Sequence, residues 1–267
     1  MSDFLQTMAE ASAARAAAAR EITASELDKA VLPLQLSGFG VIAELKDTSP
    51  AEGELANDTV SRSTRAAQYA AGGATAISVL TEPSRFSGSL AHLEEVVRAV
   101  PDTPVMRKDF LVAPVQILEA RAAGASGVLL ITAMLDDGAL RSMLDCAFEH
   151  ELFVLLEAFD SDDLERTRAM LTDTDRERAA MGKLLFGVNS RNLRTLAVDA
   201  GRLQTLAPSL PAGVCVAESG LLQAADAARV ARLGYSLGLV GTALMRSDDP
   251  AQLIAAMRQA GSAAIAA

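Results

Sequence analysis

Polar and charged side chains close several of the apolar runs in this sequence. Glu44 and Lys46 follow Val41-Ile42-Ala43, Lys108 and Asp109 follow Val105-Met106-Arg107, and Glu157 follows Phe153-Val154-Leu155-Leu156. Asn189-Ser190-Arg191 follows Leu184–Val188, and Glu218-Ser219-Gly220 follows Val214–Ala217. The two-residue period of a strand sends Glu44 and Lys46 to one face. Taken singly, such a residue is ordinarily solvated or half of a structural ion pair. Brought together from several runs into a partly dry pocket, two lysines and a glutamate would shift one another's proton affinities and supply an acid and a base that both work near neutrality. The turns Ser219-Gly220-Leu221 and Gly241-Thr242-Ala243 add a second chemistry. Small residues let the backbone approach an anion and helix N-termini aim N–H groups at it, so the pair favours a phosphate.

The elements that must position these residues follow from periodicity. Short aliphatic runs occur at Val41–Leu45, Ala76–Leu80, Val105–Arg107, Gly127–Ile131, Phe153–Leu156, Leu184–Val188, Val214–Ala217 and Gly238–Val240, their starts 22 to 35 residues apart. Each spacing fits one strand plus one crossover helix. Helical patterns lie between them: Ser63–Ala71 stops at Gly72-Gly73, Pro114–Ala123 stops at Gly124, and Asp249-Pro250 opens a last helix over Pro250–Gln259. Eight units predict an α/β fold, a (β/α)8 TIM barrel over residues 1–267 as one domain, with residues 1–38 as an N-terminal helical extension. In that extension Ala9–Arg20 reads as helix and Ser25-x-x-Asp28 as the start of a short one. A doubly wound sheet shares the alternation, and Gly38-Phe39-Gly40-Val41-Ile42-Ala43 matches the letters of a dinucleotide fingerprint. Those glycines precede a strand instead of following one, so a tight turn is the better reading.

Composition excludes several classes. With 24 basic and 34 acidic side chains the formal charge is −10, and basic residues are scattered, which argues against nucleic acid. No apolar stretch approaches the length of a membrane span, and Met1–Glu21 lacks the apolar core of a secretory signal. Cys146 and Cys215 form no metal or disulfide pattern, and His92 and His150 stand alone in helical segments. The expectation is a cytoplasmic protein that needs neither metal nor cofactor, is a monomer or weak homo-oligomer, and takes a small phosphorylated substrate.

Together, Glu44-Leu45-Lys46 with Ser49-Pro50, Arg107-Lys108-Asp109-Phe110, Glu157, Asn189-Ser190-Arg191-Asn192-Leu193, Glu218-Ser219-Gly220 and Val240-Gly241-Thr242-Ala243-Leu244-Met245 resemble indole-3-glycerol phosphate synthase, from about Leu27 to Met257. The resemblance implies conversion of 1-(2-carboxyphenylamino)-1-deoxyribulose 5-phosphate to indole-3-glycerol phosphate in tryptophan biosynthesis, with loss of carbon dioxide and water and without cofactor. It implies that Lys108 is general acid in ring closure, that Lys46 assists dehydration and that Glu157 is general base. Glu44 and Asn189 would orient substrate and lysines, Arg191 would face the anthranilate carboxylate, and Ser49, Glu218 and Ser219 would hold the substrate. Phe110 would wall the aromatic ring, and Gly220, Gly241 and Thr242 would surround the phosphate.

Two departures stand out. Asp47-Thr48-Ser49-Pro50-Ala51-Glu52-Gly53 replaces a family segment that is usually basic after the first lysine, and Ala158-Phe159 follows Glu157 where many members carry a histidine. Asp47 is expected either to be solvated or to retune the phosphate entrance. The second possibility keeps open a paralogue acting on a substituted anthranilate. A weakly active sugar-phosphate-binding regulator would have lost strand-end Lys or Glu residues, and none is lost.

Overall fold

A computed structural model describes residues 3–49, 53–55, 60–192, 198–199 and 201–266. Eight parallel strands form a closed barrel: β1 Gly40–Leu45, β2 Ala76–Leu80, β3 Val105–Lys108, β4 Gly127–Ile131, β5 Phe153–Ala158, β6 Leu184–Asn189, β7 Val214–Glu218 and β8 Leu237–Val240. Each pairs with its sequence neighbours, and β8 closes onto β1 through Gly40↔Leu237 to Ala43↔Val240. The architecture is the predicted (β/α)8 barrel. Because both faces of a parallel sheet are covered, the strands are near-continuous aliphatic runs, and almost every strand residue is buried.

Several boundaries differ from the periodicity reading. Lys108, Glu157, Asn189 and Glu218 lie inside their strands, because the parallel ladder continues one position or more beyond the last apolar residue: Asn189 is registered against Glu218 and Glu157 against Ile131. The segment after β1 forms a small antiparallel pair, Thr48–Ser49 with Gly53–Glu54. The last helix runs Pro250–Ile265, its start capped by Asp249 Oδ1 accepting from Gln252 N at 2.9 Å. The short helix of the extension is a 3-10 turn, Ala24–Leu27, capped by Thr23 and Glu26, not Ser25 and Asp28; Glu26 sits at the capping-box position and reaches back to Thr23 N. Gly38 takes φ +60°, and Phe39 N donates to Ser262 Oγ at 2.9 Å, so the fingerprint-like segment is indeed a turn that anchors the barrel floor to the last helix.

The N-terminal helix α1, Asp3–Ala17, starts and ends earlier than the alanine pattern suggests. Alanine content gives helix propensity but not a partner. The partner is the C-terminal face of the barrel: Leu5 and Met8 are buried, Gln116 Nε2 donates to Ser12 Oγ at 2.8 Å, and Arg15 Nη2 binds Asp109 Oδ1 at 2.7 Å. Asp109 is held on its other side by Thr81 Oγ1 (2.8 Å) and Arg107 Nη2 (3.1 Å), and its own Oδ1 accepts from Phe110 N (2.8 Å). A buried carboxylate needs such partners to remain charged. The network fixes the end of β3, and with it the backbone that carries Lys108.

Candidate active site

A cavity of about 230 Å³ opens at the C-terminal ends of the strands, where barrel enzymes place their chemistry. Of the residues singled out from sequence, Glu44, Lys46, Lys108, Asn189, Arg191, Glu218, Ser219, Gly220, Gly241 and Thr242 line it. Glu157 does not. It is fully buried on β5, within the electrostatic reach of Lys108 and Glu218. Phe110 is also outside the lining, with its ring 5.9 Å from Phe4 and 6.1 Å from Phe86 in an aromatic cluster. Ser49 is described only through its backbone pairing with Gly53, and Pro50, Ala51, Glu52 and Leu193 lie outside the described residues.

Glu44 is the hub of the charges. Its Oε2 is 3.0 Å from Lys46 Nζ and its Oε1 is 3.6 Å from Lys108 Nζ, with all three side chains largely removed from solvent. Burial raises the proton affinity of Glu44, but the two ammoniums outweigh it and hold the carboxyl below its ordinary value. Burial works against the charge on Lys108, yet Glu44, Glu157 and Glu218 outweigh it and hold the ammonium above the ordinary lysine range. The sequence reading had the grouped lysines and glutamate shift one another's proton affinities; for Lys108 the shift is upward, because three carboxylates act on it. Glu218 is pushed well above the usual carboxyl range, first by burial and then by Glu157, with Lys108 opposing.

The β6 and β7 ends are locked to each other. Asn189 Oδ1 accepts from Ser219 Oγ (2.8 Å) and Arg191 N (2.9 Å), while Ser190 Oγ donates to the carbonyls of Glu218 (3.1 Å) and Ser219 (3.0 Å). Ser219 takes φ +65°, uncommon for a residue with a side chain, and Gly220 follows at +76°. Consecutive left-handed residues turn the chain sharply over the cavity, and the second small-residue turn faces them through Gly241 and Thr242, which opens the short helix Thr242–Arg246. A Cβ at Gly241 would overlap Glu44 Oε2, so this position must lack a side chain for the charged hub to fit.

Asp47 was expected to be solvated or to alter the phosphate entrance; it is paired, which removes the first alternative. It is absent from the cavity lining, and its Oδ2 accepts from Arg62 Nη2 at 2.7 Å, with His92 Nδ1 3.8 Å away. Arg62 also binds Glu95 Oε2 at 2.6 Å, so Asp47 ties the end of β1 to the helices Arg62–Ala71 and Leu90–Ala99. Ala158 and Phe159, in place of the family histidine, are buried in the core. Among the described residues no group of three or more His, Cys, Asp or Glu side chains could hold a metal ion, and no helix is long and apolar enough to cross a membrane.

Sequence reasoning missed Arg15, and it marked Glu82 only as part of a family-like loop, Thr81-Glu82-Pro83 to Phe86-Ser87-Gly88-Ser89, without a role. Arg15 Nη1 is 3.7 Å from Glu82 Oε1, and Glu82 caps the short helix Pro83–Phe86, accepting from Ser84 N and Arg85 N. The Thr81-Glu82-Pro83 string, an acidic residue before a helix-opening proline, was the available signal.

Fold and site define a (β/α)8 barrel enzyme with lysines and carboxylates gathered at the C-terminal mouth beside two small-residue turns. The family model for indole-3-glycerol phosphate synthase matches residues 6–257. A protein of that name from a Nocardioides species is 48% identical over 215 residues, 80% of this chain and 78% of its own. One from Rhodococcus opacus is 43% identical over 237 residues, 88% of this chain and 83% of its own. The chain belongs to the indole-3-glycerol phosphate synthase family and is on that ground a carboxy-lyase of tryptophan biosynthesis. Among solved structures, 3-hexulose-6-phosphate synthase from Salmonella typhimurium superposes with a TM-score of 0.63 at 14% identity, covering 83% of this chain and 98% of that one, a likeness of fold.

Proposed function

We propose that this chain closes the pyrrole ring of 1-(2-carboxyphenylamino)-1-deoxyribulose 5-phosphate, releasing carbon dioxide and water to give indole-3-glycerol phosphate. Lys108 donates a proton to the ketose carbonyl oxygen as the ring carbon attacks, and loss of carbon dioxide from that carbon restores aromaticity. Glu157 takes the proton released in the final elimination, and Lys46 assists departure of the hydroxyl as water. Glu44 holds both ammoniums in place. Arg191 faces the anthranilate carboxylate, Asn189, Ser219, Glu218 and Ser49 orient the sugar and its amine, and Gly220, Gly241 and Thr242 receive the phosphate. Phe110, clustered with Phe4 and Phe86, offers an apolar wall to the aromatic ring.

The observation that carries this reading is the convergence of Lys108, Lys46 and the two small-residue turns on one cavity, with Glu157 buried within electrostatic reach of Lys108. A high proton affinity keeps Lys108 charged until the carbonyl oxygen gains basicity in the transition state, where a charged donor stabilises it most. The thiols Cys146 and Cys215 are free, which suits a reducing cytoplasm.

The test is turnover of the synthetic carboxyphenylamino-deoxyribulose phosphate by the purified chain, following indole fluorescence and carbon dioxide release. Equal amounts of both products are expected; consumption of substrate without either product would refute the reading.

A further inference from the structure

Glu157 on β5 and Glu218 on β7 are not on adjacent strands; β6 runs between them. The β6 residue in register with Glu157 is Gly187, and the same glycine is in register with Val216, two residues before Glu218 and on its face of β7. A Cβ built at Gly187 would overlap Glu218 Oε1 and lie 3.1 Å from Leu155 Cδ1. The Glu218 carboxyl therefore occupies the space a side chain at 187 would fill, and it leans across β6 toward Glu157. Both carboxyls are removed from solvent, and none of their four oxygens accepts a hydrogen bond from a donor group among the described residues.

The charges around this pair do not balance when every carboxyl is ionised. Of the groups whose charges act most on Glu218, Glu157 and Glu44 are acidic and Lys108 is basic, and Glu44 already engages Lys108 as well as Lys46; Arg191 lines the cavity but is not among those groups. Lys108 is the cation that faces Glu157 and Glu218; Glu44 adds further negative potential, and on β6 the neighbouring side chain is the neutral amide of Asn189. Two like charges facing each other in a dry site cannot both persist cheaply, and one proton bridging them removes the repulsion and satisfies an oxygen on each.

We infer that Gly187 is a positioning residue for the reaction: by leaving its side-chain space to Glu218, it seats that carboxyl against Glu157, and the pair holds one proton at neutral pH. The consequence is an oriented base. The hydrogen bond from protonated Glu218 fixes Glu157 and leaves its second oxygen for the substrate proton, while Lys108 faces fewer full negative charges than a count of acidic residues suggests. The elevated proton affinity of Glu218 agrees with this arrangement. The inference rests on the reading of Glu157 as general base, but its first test does not require activity.

Infrared difference spectra of the ligand-free protein, wild type minus Glu218→Gln at neutral pH, are expected to show a protonated-carboxyl C=O band present only in the wild type. A difference confined to carboxylate bands would overturn the shared proton, whatever substrate the protein uses. Gly187→Ala should abolish that band and lower kcat at least ~10-fold with KM within about twofold, the loss expected when one oriented hydrogen bond to a charged group is removed. In a Glu218→Ala background, with no carboxyl to displace, the same Gly187→Ala change should cost less than about twofold. An equal loss in both backgrounds would make Gly187 merely structural. Should Gly187→Ala fail to fold, Glu218→Asp, too short to cross Gly187, is expected to lose the band and a comparable share of kcat; retention of both would refute the proposal.

Discussion

Glu44 and Lys108 stand on different strands, β1 and β3, yet Glu44 Oε1 lies 3.6 Å from Lys108 Nζ while its other oxygen holds Lys46. The carboxylate spans the gap across β2 and sets the position of the proposed general acid. Glu44→Gln would leave two ammoniums without a shared counter-charge. A charge-assisted hydrogen bond is worth about 1.5–3 kcal/mol, so kcat should fall roughly 10- to 100-fold. Steady-state kinetics with unchanged kcat would show that Glu44 does not position the lysine.

Glu218 gives a pH dependence of stability whose sign is fixed. Its folded proton affinity is raised by burial and by Glu157, so above the ordinary carboxyl value of 4.5 the folded state keeps a proton that the unfolded chain releases. Stability then falls as pH rises from that value toward the folded one, by up to about 1.4 kcal/mol per pH unit. Glu218→Gln carries no such charge. Its melting temperature should exceed that of the wild type by a margin that widens from pH ~5 to pH ~8, and a constant margin would contradict the raised affinity.

Asp47 supplies a prediction about stability instead of substrate binding. Asp47→Lys would set an ammonium against Arg62, whose guanidinium now bridges Asp47 and Glu95. Loss of a partly buried ion pair plus new repulsion should cost about 1–3 kcal/mol, read as a lower denaturant midpoint. KM should stay within about twofold, since residue 47 is outside the cavity lining. A several-fold fall in KM at low salt would restore Asp47 to the phosphate entrance.

Strand identity and barrel closure were legible because a parallel sheet buries both faces and leaves uninterrupted aliphatic runs. Strand ends were not: Glu157 and Glu218 look like the start of a loop until the charge opposite them is known, since it is the Lys108 ammonium that makes a buried carboxyl tolerable there. Gly187 looks like a weak point in an aliphatic strand, and its meaning depends on a side chain one strand away. Arg15 sits in an alanine-rich helix, with its partner Asp109 94 positions along the chain, a distance no local pattern crosses. Asp47 was legible as a departure from the family, but its guanidinium partner on the next helix was not.

The central claim is that Lys108 and Glu157 move the protons of ring closure and aromatisation. Single-turnover kinetics of Lys108→Met and Glu157→Gln at saturating substrate tests it most directly. The predicted result is a folded protein that still binds the substrate within about 10-fold of wild type and turns it over some 10²- to 10⁴-fold more slowly, the contribution of a positioned acid or base. A near wild-type rate in either variant would contradict the assignment.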